Sequence, residues 1–309
     1  MKSGTGIWSL AFNNDGSMLA GCSDALYFWS VPEGKLLGRI TGESSNCLDC
    51  CWGLGLRIAA VQGTAVRLWT LERGIERVEG VSQDCVKGKI ELTKRIKSKK
   101  TPPKPVLGCA FFTATCPAGK EDDGTEGPSV AAGGEVIVSV GVDKEVRLWD
   151  VNGSNDKPVT TLGDKDDRRE NGYGIGSKHN GHVFRAVPSP CCRFLLTVSS
   201  DRVPRIWNLR TNEASHLLAE AHELSVQCGA FEASSRLVVT GSQDLTARVW
   251  SVANGNCVAV LEVKAEVVGV GFAPCDLAAN PDMAVVCVTT VAGMQIWELH
   301  VPAVDAPAV

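Results

Sequence analysis

The sequence predicts an all-β fold built from repeated four-stranded sheets. Short apolar runs of four to six residues alternate with turns rich in Gly, Asp and Ser, which is typical of strands joined by tight connections. A tryptophan ends one run in each repeat, and a fixed set of other residues precedes it. Six tryptophans mark the repeats at steps of roughly forty residues once insertions are allowed for, at positions 29, 69, 149, 207, 250 and 297.

The clearest repeat spans residues 221–250 and gives the reference intervals for the others. Its histidine precedes an aspartate by twenty-two residues, and that aspartate precedes the tryptophan by six. The repeat before it shows the same two intervals. The matching residues are His179, Asp201 and Trp207 in one copy and His222, Asp244 and Trp250 in the next.

The remaining copies follow in chain order with trimmed or lengthened turns. The first has strand-like runs up to Trp29 and a fourth at Lys35 to Ile40, and the second ends in VRLW at Trp69. The third resumes at Val106, and its Asp143 again stands six residues before Trp149. The sixth begins with VVGVGF and ends in MQIW, with Val291 in place of the turn aspartate.

Two insertions interrupt what we predict to be a single domain over residues 1–309. Residues 79–105 form a basic loop between the second and third repeats, and residues 113–135 form an insertion within the third repeat. After Trp297 the chain is broken by prolines, so the last repeat lacks a convincing fourth strand. We therefore expect a last sheet of three strands, a strand or sheet donated by a partner, or a chain that is part of something larger.

From Ile7 to about His300 the chain resembles the WD-repeat (Trp-Asp repeat) β-propeller family. The resemblance rests on the D-x5-W spacing in RLWD, RIWN and ARVW, and on the upstream histidine in two copies. Only Trp149 is itself followed by aspartate. The resemblance implies a β-propeller of six four-stranded blades, or of seven if the segment KIELTKRI belongs to a degenerate blade, with an incomplete last blade.

The resemblance also implies a buried hydrogen-bonded set in each well-formed blade. In the family a histidine, a turn aspartate, a strand Ser or Thr and the tryptophan form it. Carried over to this sequence, the fourth and fifth repeats would each use one of two hydroxyl residues, and the third repeat would keep part of the set. The residues are His179, Asp201 and Trp207 with Thr197 or Ser199; His222, Asp244 and Trp250 with Thr240 or Ser242; and Asp143 with Trp149.

The sequence predicts no catalytic, cofactor-binding or metal-ligating residues, and hence no enzyme. The His–Asp pairs recur in register with a tryptophan and without a recurring Ser or Cys nucleophile, which favours a structural role. Cys47 and Cys50 have zinc-like spacing but no second pair, so a core strand explains them better. The thirteen cysteines scatter along apolar runs, which predicts reduced, buried thiols. With no secretion signal or apolar span, we expect an intracellular protein, in the cytoplasm or the nucleus.

By resemblance, the rims of the propeller would carry its binding surfaces. The basic loop and the segment 163–178 would share one rim, while the acidic segment 119–128 and the insertion 273–282 would lie on the opposite one. Short turn residues would adjoin the first rim. The candidate partner-binding residues are Lys87, Lys89, Lys94, Arg95, Lys97, Lys99, Lys100, Lys104, Lys144, Arg202, Glu223 and Arg210.

These features predict an interaction scaffold, a WD-repeat subunit of an intracellular multiprotein complex. An alternative is a substrate receptor of a cullin-type ubiquitin ligase, because Trp207 to Arg210 resembles the W-D-x-R box of some family members with Asn208 in place of Asp. A third hypothesis is an RNA-associated subunit that uses the basic loop. No aromatic residue interleaves with those charges, and the net charge of −4 gives no overall attraction to nucleic acid.

Overall fold

The computed structural model describes residues 6–40, 46–71, 91–97, 104–113, 134–153, 158–163, 178–218, 222–273 and 283–300, and every regular element in these ranges is a β-strand. No helix in them is long and apolar enough to cross a membrane. The strands form six antiparallel sheets, five of four strands and one of three, which confirms the all-β prediction for the part of the chain that is described.

The chain divides into two compact units, and each is best described by itself. The first comprises residues 1–113, 134–143 and 148–158, and the second the remainder. In each sheet the strands follow chain order, as successive hairpins give. Sheet 1 has β1 (Ser9–Phe12), β2 (Met18–Cys22), β3 (Leu26–Ser30) and β4 (Lys35–Ile40); sheet 2 has β5 (Cys47–Trp52), β6 (Arg57–Gln62), β7 (Ala65–Thr70) and β8 (Glu91–Lys97); sheet 3 has β9 (Val106–Thr113), β10 (Glu135–Gly141), β11 (Val146–Asp150) and β12 (Thr160–Leu162).

The second unit contains sheets 4, 5 and 6, together with β12 and the first two residues of β11 from sheet 3. Sheet 4 has β13 (Val183–Pro188), β14 (Phe194–Ser199), β15 (Arg205–Asn208) and β16 (Glu213–Leu217); sheet 5 has β17 (Val226–Phe231), β18 (Leu237–Ser242), β19 (Thr246–Ser251) and β20 (Cys257–Glu262); sheet 6 has β21 (Val267–Phe272), β22 (Met283–Thr290) and β23 (Gly293–His300). The described part of the last sheet thus has three strands, and because residues 301–309 lie outside the described residues, the three alternatives for this repeat stay open.

One packing rule connects neighbouring sheets within each unit. We call the side of a sheet that carries its tryptophan the Trp face and the opposite side the back face. In sheet 5, Val238 pairs with Trp250 on the Trp face, and this face packs against Leu196 and Ile206 on the back face of sheet 4. The back face of sheet 5 in turn packs against Val286 on the Trp face of sheet 6. Stacking of this kind buries both sides of a sheet too thin to have a core of its own.

The first unit follows the same rule. The back face of sheet 1, with Ala20 and Phe28, packs against Trp52 and Trp69 of sheet 2. The back face of sheet 2 packs against Trp149 of sheet 3. Because side chains alternate along a strand, each apolar run serves two interfaces, and this explains why the second strands are buried on both faces.

The turn before each tryptophan strand has a strained backbone in three sheets. The residue that follows the turn aspartate has a positive φ of 70° at Lys144, 71° at Arg202 and 65° at Leu245. L-residues rarely adopt this region, so the aspartate contacts around each turn must hold the conformation. In sheet 5 those contacts include Asp244 Oδ1, which accepts the backbone N–H of Thr246 at 2.9 Å.

The basic segment differs from its prediction as a loop. Residues Glu91–Lys97 form β8, which pairs antiparallel with β7 and completes sheet 2. This strand also accounts for the segment that could have belonged to a seventh blade. An outer strand has a neighbour on one side only, so it tolerates charged residues that would be excluded from a central strand. The rest of the basic segment, and nearly all of the predicted insertion at 113–135, lie outside the described residues.

The prediction of reduced thiols is wrong for one pair of cysteines. Cys22 at the end of β2 and Cys47 at the start of β5 are joined by a disulfide, with their Cα atoms 4.9 Å apart. Both side chains lie in the core between sheets 1 and 2. The pairing is invisible in the sequence because the two residues belong to different repeats, and only the stacking of the sheets brings them together.

Candidate binding rim and the polar networks beneath it

A buried polar network lies at one end of sheet 4. The ring of His179 contacts Asp201 Oδ2 through Nδ1 at 2.9 Å and Thr197 Oγ1 through Nε2 at 2.7 Å. The indole N–H of Trp207 donates to the same threonine oxygen at 2.8 Å. A neutral imidazole that donates from Nδ1 and accepts at Nε2 satisfies the aspartate, the threonine and the indole, and Arg205 Nη1 also lies 2.6 Å from Nδ1. Of the two hydroxyl candidates for this network, the structure uses Thr197, while Ser199 Oγ accepts the backbone N–H of Asp201 instead.

Sheet 5 repeats this arrangement. His222 contacts Asp244 Oδ2 at 2.9 Å and Thr240 Oγ1 at 2.9 Å, and the Trp250 indole N–H donates to Thr240 at 2.9 Å. Ser242, the other candidate, donates its hydroxyl to the Ser225 carbonyl oxygen at 2.9 Å. With both ring nitrogens occupied inside the protein, the histidine is placed to hold the turn rather than to exchange protons with a substrate.

The other sheets have fewer of these hydrogen bonds, because in most of them an apolar residue or glycine replaces the hydroxyl residue that accepts the indole N–H. In sheet 3 the Trp149 indole N–H still donates to Ser139 Oγ at 2.8 Å. In sheets 4 and 5 the threonine stands two residues after the partner of the tryptophan in the strand register. In the remaining sheets that place holds Gly21, Ala60 and Val288. The indole N–H of Trp297 in sheet 6 accordingly has no hydrogen-bond partner among the described residues.

A buried arginine completes the network of sheet 4 and was not anticipated from the sequence. Arg205 Nη1 donates to Asp201 Oδ2 at 2.9 Å and to the Val203 carbonyl oxygen at 2.8 Å, and Nη2 donates to the Lys178 carbonyl oxygen at 3.1 Å. A signal for it exists in the sequence, because four repeats read R-x-W. The arginines concerned are Arg67, Arg147, Arg205 and Arg248.

Burial and charge set the protonation states of this network. The pKa of His179 is lowered to about 4, chiefly by burial and also by the adjacent Arg205 guanidinium, while Asp201 opposes the shift. Burial likewise lowers the pKa of His222. Burial raises the pKa of the Asp201 carboxyl, but hydrogen bonding and charge from His179 and Arg205 outweigh it, so this pKa lies well below its usual range. At neutral pH the pair is therefore a neutral imidazole beside a carboxylate.

The depressed histidine pKa values predict a loss of stability in mild acid. Between the folded pKa of about 4 and the unfolded value of about 6.5, the unfolded chain binds a proton at His179 that the folded chain does not. The free energy of unfolding should therefore fall by about 1–2 kcal/mol as the pH drops from 7 to 5. Urea unfolding at the two pH values measures this difference.

A matched pair of variants assigns the pH effect to the network. His179→Gln should make the dependence between pH 7 and pH 5 shallower, and the same substitution at the exposed His182 is the matched control. An equally steep dependence in both variants would show that other groups cause the effect. The low pKa of Asp201 does not contribute in this window, because its contribution is lost only below about pH 4.

An open depression of about 670 Å³ lies directly above these networks, between the turns of sheets 4 and 5. Arg202 stands at its edge with an exposed side chain, and its Nη1 approaches the Glu223 carbonyl oxygen at 3.5 Å. Leu224 and Leu245 are also exposed on the turns of sheet 5. The depression is lined by Asn180, Gly181, Ser200, Asp201, Arg202 and His222, with Val203 and Arg205 behind them. We call this surface the binding rim.

The other predicted binding residues are distributed elsewhere. Lys144 is exposed at the corresponding turn of sheet 3, and Lys104 is exposed before β9. Lys94, Arg95 and Lys97 lie in β8, while Lys87, Lys89, Lys99 and Lys100 lie outside the described residues. The opposite-rim segments 119–128 and 274–282 also lie outside them, so their predicted separation from the basic charges stays a prediction.

The segment that resembles a W-D-x-R box has a local structural explanation. Asn208 Oδ1 accepts the backbone N–H groups of Arg210 at 2.8 Å and Thr211 at 3.4 Å, and so closes the turn after β15. In sheet 3, Asp150 Oδ1 does the same for the backbone N–H of Asn152 at 2.9 Å. A short acceptor side chain after the tryptophan therefore serves the turn in both sheets.

Comparison with known proteins points in the same direction as the fold. A family model described as WD40, "WD domain, G-beta repeat", matches residues 2–30 and 215–251. The chain is 28% identical to the DENN domain and WD repeat-containing protein SCD1 of Arabidopsis thaliana over 46% of its own length and 10% of that protein. It is 31% identical to Protein tipD of Dictyostelium discoideum over 40% of this chain and 17% of that one. It is 27% identical to small ribosomal subunit protein RACK1y of Oryza sativa subsp. japonica over 41% of this chain and 36% of that one.

Antiparallel four-stranded sheets that stack face to face, each with its own tryptophan, define the protein as an all-β chain of the β-propeller class. The matching repeats and the relatives support the same assignment, since the chain is similar to WD-repeat proteins over two stretches of the family model and over 40–46% of its length in the relatives described above. The chain spans between 10% and 36% of the lengths of the three relatives described above.

Proposed function

We propose that this chain is a non-enzymatic protein–protein interaction scaffold that binds partner segments at the binding rim of sheets 4 and 5. WD-repeat proteins generally bind other proteins in assemblies, and this supports the class of function. The observation that carries the proposal is the depression of about 670 Å³ set on the two most complete polar networks. Rigid support beneath an exposed concave surface lowers the entropy lost when a partner binds.

The groups beneath the rim favour binding over catalysis. Asp201 lines the depression, and its Oδ2 already accepts hydrogen bonds from the Asn180 backbone N–H at 2.9 Å and from Arg205. Both imidazoles use their two nitrogens inside the protein. A general base needs a free lone pair within reach of a substrate, and neither imidazole offers one while the networks are intact.

The exposed groups of the rim indicate the chemistry of the partner. Arg202 presents an exposed guanidinium beside the depression, and Leu224 and Leu245 expose 52% and 42% of their surfaces nearby. A guanidinium binds carboxylates with two parallel hydrogen bonds, and exposed leucines suit aliphatic side chains. We infer that the partner segment carries an acidic residue flanked by apolar ones.

The test is a charge reversal at the rim. Full-length tagged protein and its Arg202→Glu variant are compared by quantitative affinity capture, with Lys35→Glu as a matched charge reversal on sheet 1, where the side chain is 64% exposed. We expect Arg202→Glu to reduce capture of specific partners by about tenfold, the equivalent of one lost charge-assisted contact, while Lys35→Glu leaves them unchanged. Identical partner lists for all three proteins would refute the rim as the docking surface.

The basic residues outside β8 form a second, separable docking hypothesis. Deletion of residues 87–104 would remove β8 and disrupt sheet 2, so it would not test the charges themselves. Neutralising Lys87, Lys89, Lys99 and Lys100 leaves the strand in place. Lost binding of RNA with a steep salt dependence would support the nucleic-acid alternative, and lost protein partners would support an acidic partner.

The ligase-receptor alternative depends on Arg210. The side chain of Asn208 is engaged in its own turn, so the arginine is the residue of the box that would meet an adaptor. Adaptor binding that survives Arg210→Glu would exclude this role. An intracellular location, cytoplasmic or nuclear, is part of the proposal and is checked by imaging the tagged chain.

A further inference from the structure

A second pair of cysteines lies where two neighbouring sheets of the first unit meet. Cys51 in β5 and Cys109 in β9 are both thiols, and their Sγ atoms lie 3.4 Å apart. Cys51 belongs to the back face of sheet 2, and Cys109 belongs to the face of sheet 3 that packs on it. The two residues stand 58 positions apart in the sequence, so only the stacking of the two sheets brings the sulfur atoms into contact.

The surrounding backbone holds the two thiols side by side. Asp49 stands two residues before Cys51 in β5, and its Oδ2 accepts the backbone N–H of Cys109 at 3.1 Å. Cys109 Sγ also approaches the Ala59 carbonyl oxygen of β6 at 3.9 Å. Cys51 is half-buried and Cys109 is 4% exposed. The carboxylate thus fixes β9 against β5 immediately beside the two sulfur atoms.

The distance between the sulfur atoms is short enough for a disulfide to form without moving the sheets apart or together. A bonded pair lies at about 2.0 Å, so the two atoms must approach by roughly 1.4 Å. A modest rotation of both side chains about their Cα–Cβ bonds closes this gap. The junction of sheets 1 and 2 already contains such a bond, between Cys22 and Cys47, so stacked sheets in this unit stand close enough to be bridged.

We propose that Cys51 and Cys109 form a second disulfide between sheets when the protein meets a peroxide, so that the pair is an oxidative modification site of the first unit. Strand β5 is then bonded to β2 through Cys47 and to β9 through Cys51. Oxidation thereby joins three strands of three different sheets covalently. The inference does not depend on the binding rim, whose residues belong to sheets 4 and 5.

Hydrogen peroxide supplies the two oxidising equivalents. The sulfur of Cys51, the more exposed thiol, attacks one peroxide oxygen, the O–O bond breaks, and the released hydroxide takes the thiol proton and leaves as water. The sulfur of Cys109 then attacks the sulfur of the Cys51 sulfenic acid, the S–O bond breaks, and the second hydroxide leaves as water with the Cys109 proton. Two thiols and one peroxide thus give one disulfide and two water molecules. Burial raises the pKa of the Cys51 thiol, so its thiolate is scarce at neutral pH and the first step is slow.

Differential alkylation with mass spectrometry tests the assignment on the full-length wild-type chain. Protein purified without oxygen is treated with hydrogen peroxide and denatured, then labelled with one alkylating agent before reduction and with a second agent after it. We expect Cys51 and Cys109 to take the second label together and their peptides to be joined before reduction. The exposed Cys191 shows that the oxidant acted, whereas Cys228 of sheet 5, which is 5% exposed, controls for burial and should keep its thiol.

Two variants separate this bond from other effects of the oxidant. Peroxide should raise the midpoint of thermal unfolding of the wild type by about 5 °C or more, because the bond closes a long loop in the unfolded chain. Cys51→Ser and Cys109→Ser should show no such rise. Cys287→Ser, which replaces a half-buried cysteine of β22, is the matched control and should respond like the wild type.

The proposal fails on any of three results. If Cys51 and Cys109 remain thiols after Cys191 has been oxidised, their contact does not lead to a bond. If Cys51 is joined to a different cysteine, the pairing is wrong. If the rise in the unfolding midpoint persists in Cys109→Ser, another change caused by the oxidant produces it.

Discussion

Replacing Asp201 with alanine is expected to lower the free energy of unfolding by about 3–5 kcal/mol, because it removes the counter-charge of a buried guanidinium. The side chains of Arg205 and Asp201 are 1% and 7% exposed and meet at 2.9 Å. The same carboxylate also contacts the His179 ring and accepts the backbone N–H of Asn180. Chemical denaturation at pH 7 measures the difference.

Two further variants distinguish the loss of the ion pair from general damage. Asp24→Ala removes an exposed aspartate at the corresponding turn of sheet 1 and should change stability by less than about 0.5 kcal/mol. The double variant Asp201→Ala, Arg205→Met should be more stable than Asp201→Ala alone, since no uncompensated charge is left in the core. A double variant less stable than the single one would contradict the explanation.

Replacing Asp49 with alanine should destabilise the first unit by about 2–4 kcal/mol. Asp49 is 5% exposed on β5 and links three sheets. Its Oδ1 accepts the Ser9 hydroxyl of β1 at 2.6 Å, and its Oδ2 accepts the backbone N–H of Cys109 in β9 at 3.1 Å. Alanine would deprive both donors of this acceptor in a site closed to water.

Hydrogen exchange locates the effect of that substitution. The Cys109 amide should exchange at least about tenfold faster in Asp49→Ala, and Asp49→Asn, which keeps one acceptor oxygen, should lie between it and the wild type. The exposed Asp15 offers the control, since Asp15→Ala touches only its own turn at Ser17. Unchanged protection at Cys109 would mean that the link between the sheets carries little energy.

Much of the fold is predictable because each repeat carries the apolar runs of its strands and the turn residues between them within one stretch of sequence. The repeat pattern and its short apolar runs predict a fourth strand at Lys35–Ile40 and a first strand at Val106, which appear as β4 and β9. The strand β8 was not predicted, because lysines and an arginine obscure its alternation. Whether an outer strand such as β8 forms depends on its backbone pairing with the neighbouring strand β7 as well as on its own sequence.

For the candidate site, the sequence predicts which residues can form each polar network but not which of two hydroxyl residues each network uses. Thr197 and Ser199 share one face of β14 because they are two residues apart, so alternation could not decide between them. The register with β15 decides, since it sets the threonine within reach of the Trp207 nitrogen. The disulfide between Cys22 and Cys47 required knowledge of which sheets stack, and no local pattern contains that.

The isolated indole nitrogen of Trp297 has a consequence for how such chains are recognised. Where no hydroxyl accepts the N–H, the ring contributes only apolar contact with sheet 5. Sequence motifs undercount the repeats of this chain, since the family model matches two stretches although six sheets are present in the described residues. In this chain the stacked strands identify the repeats more completely than the sequence motifs do.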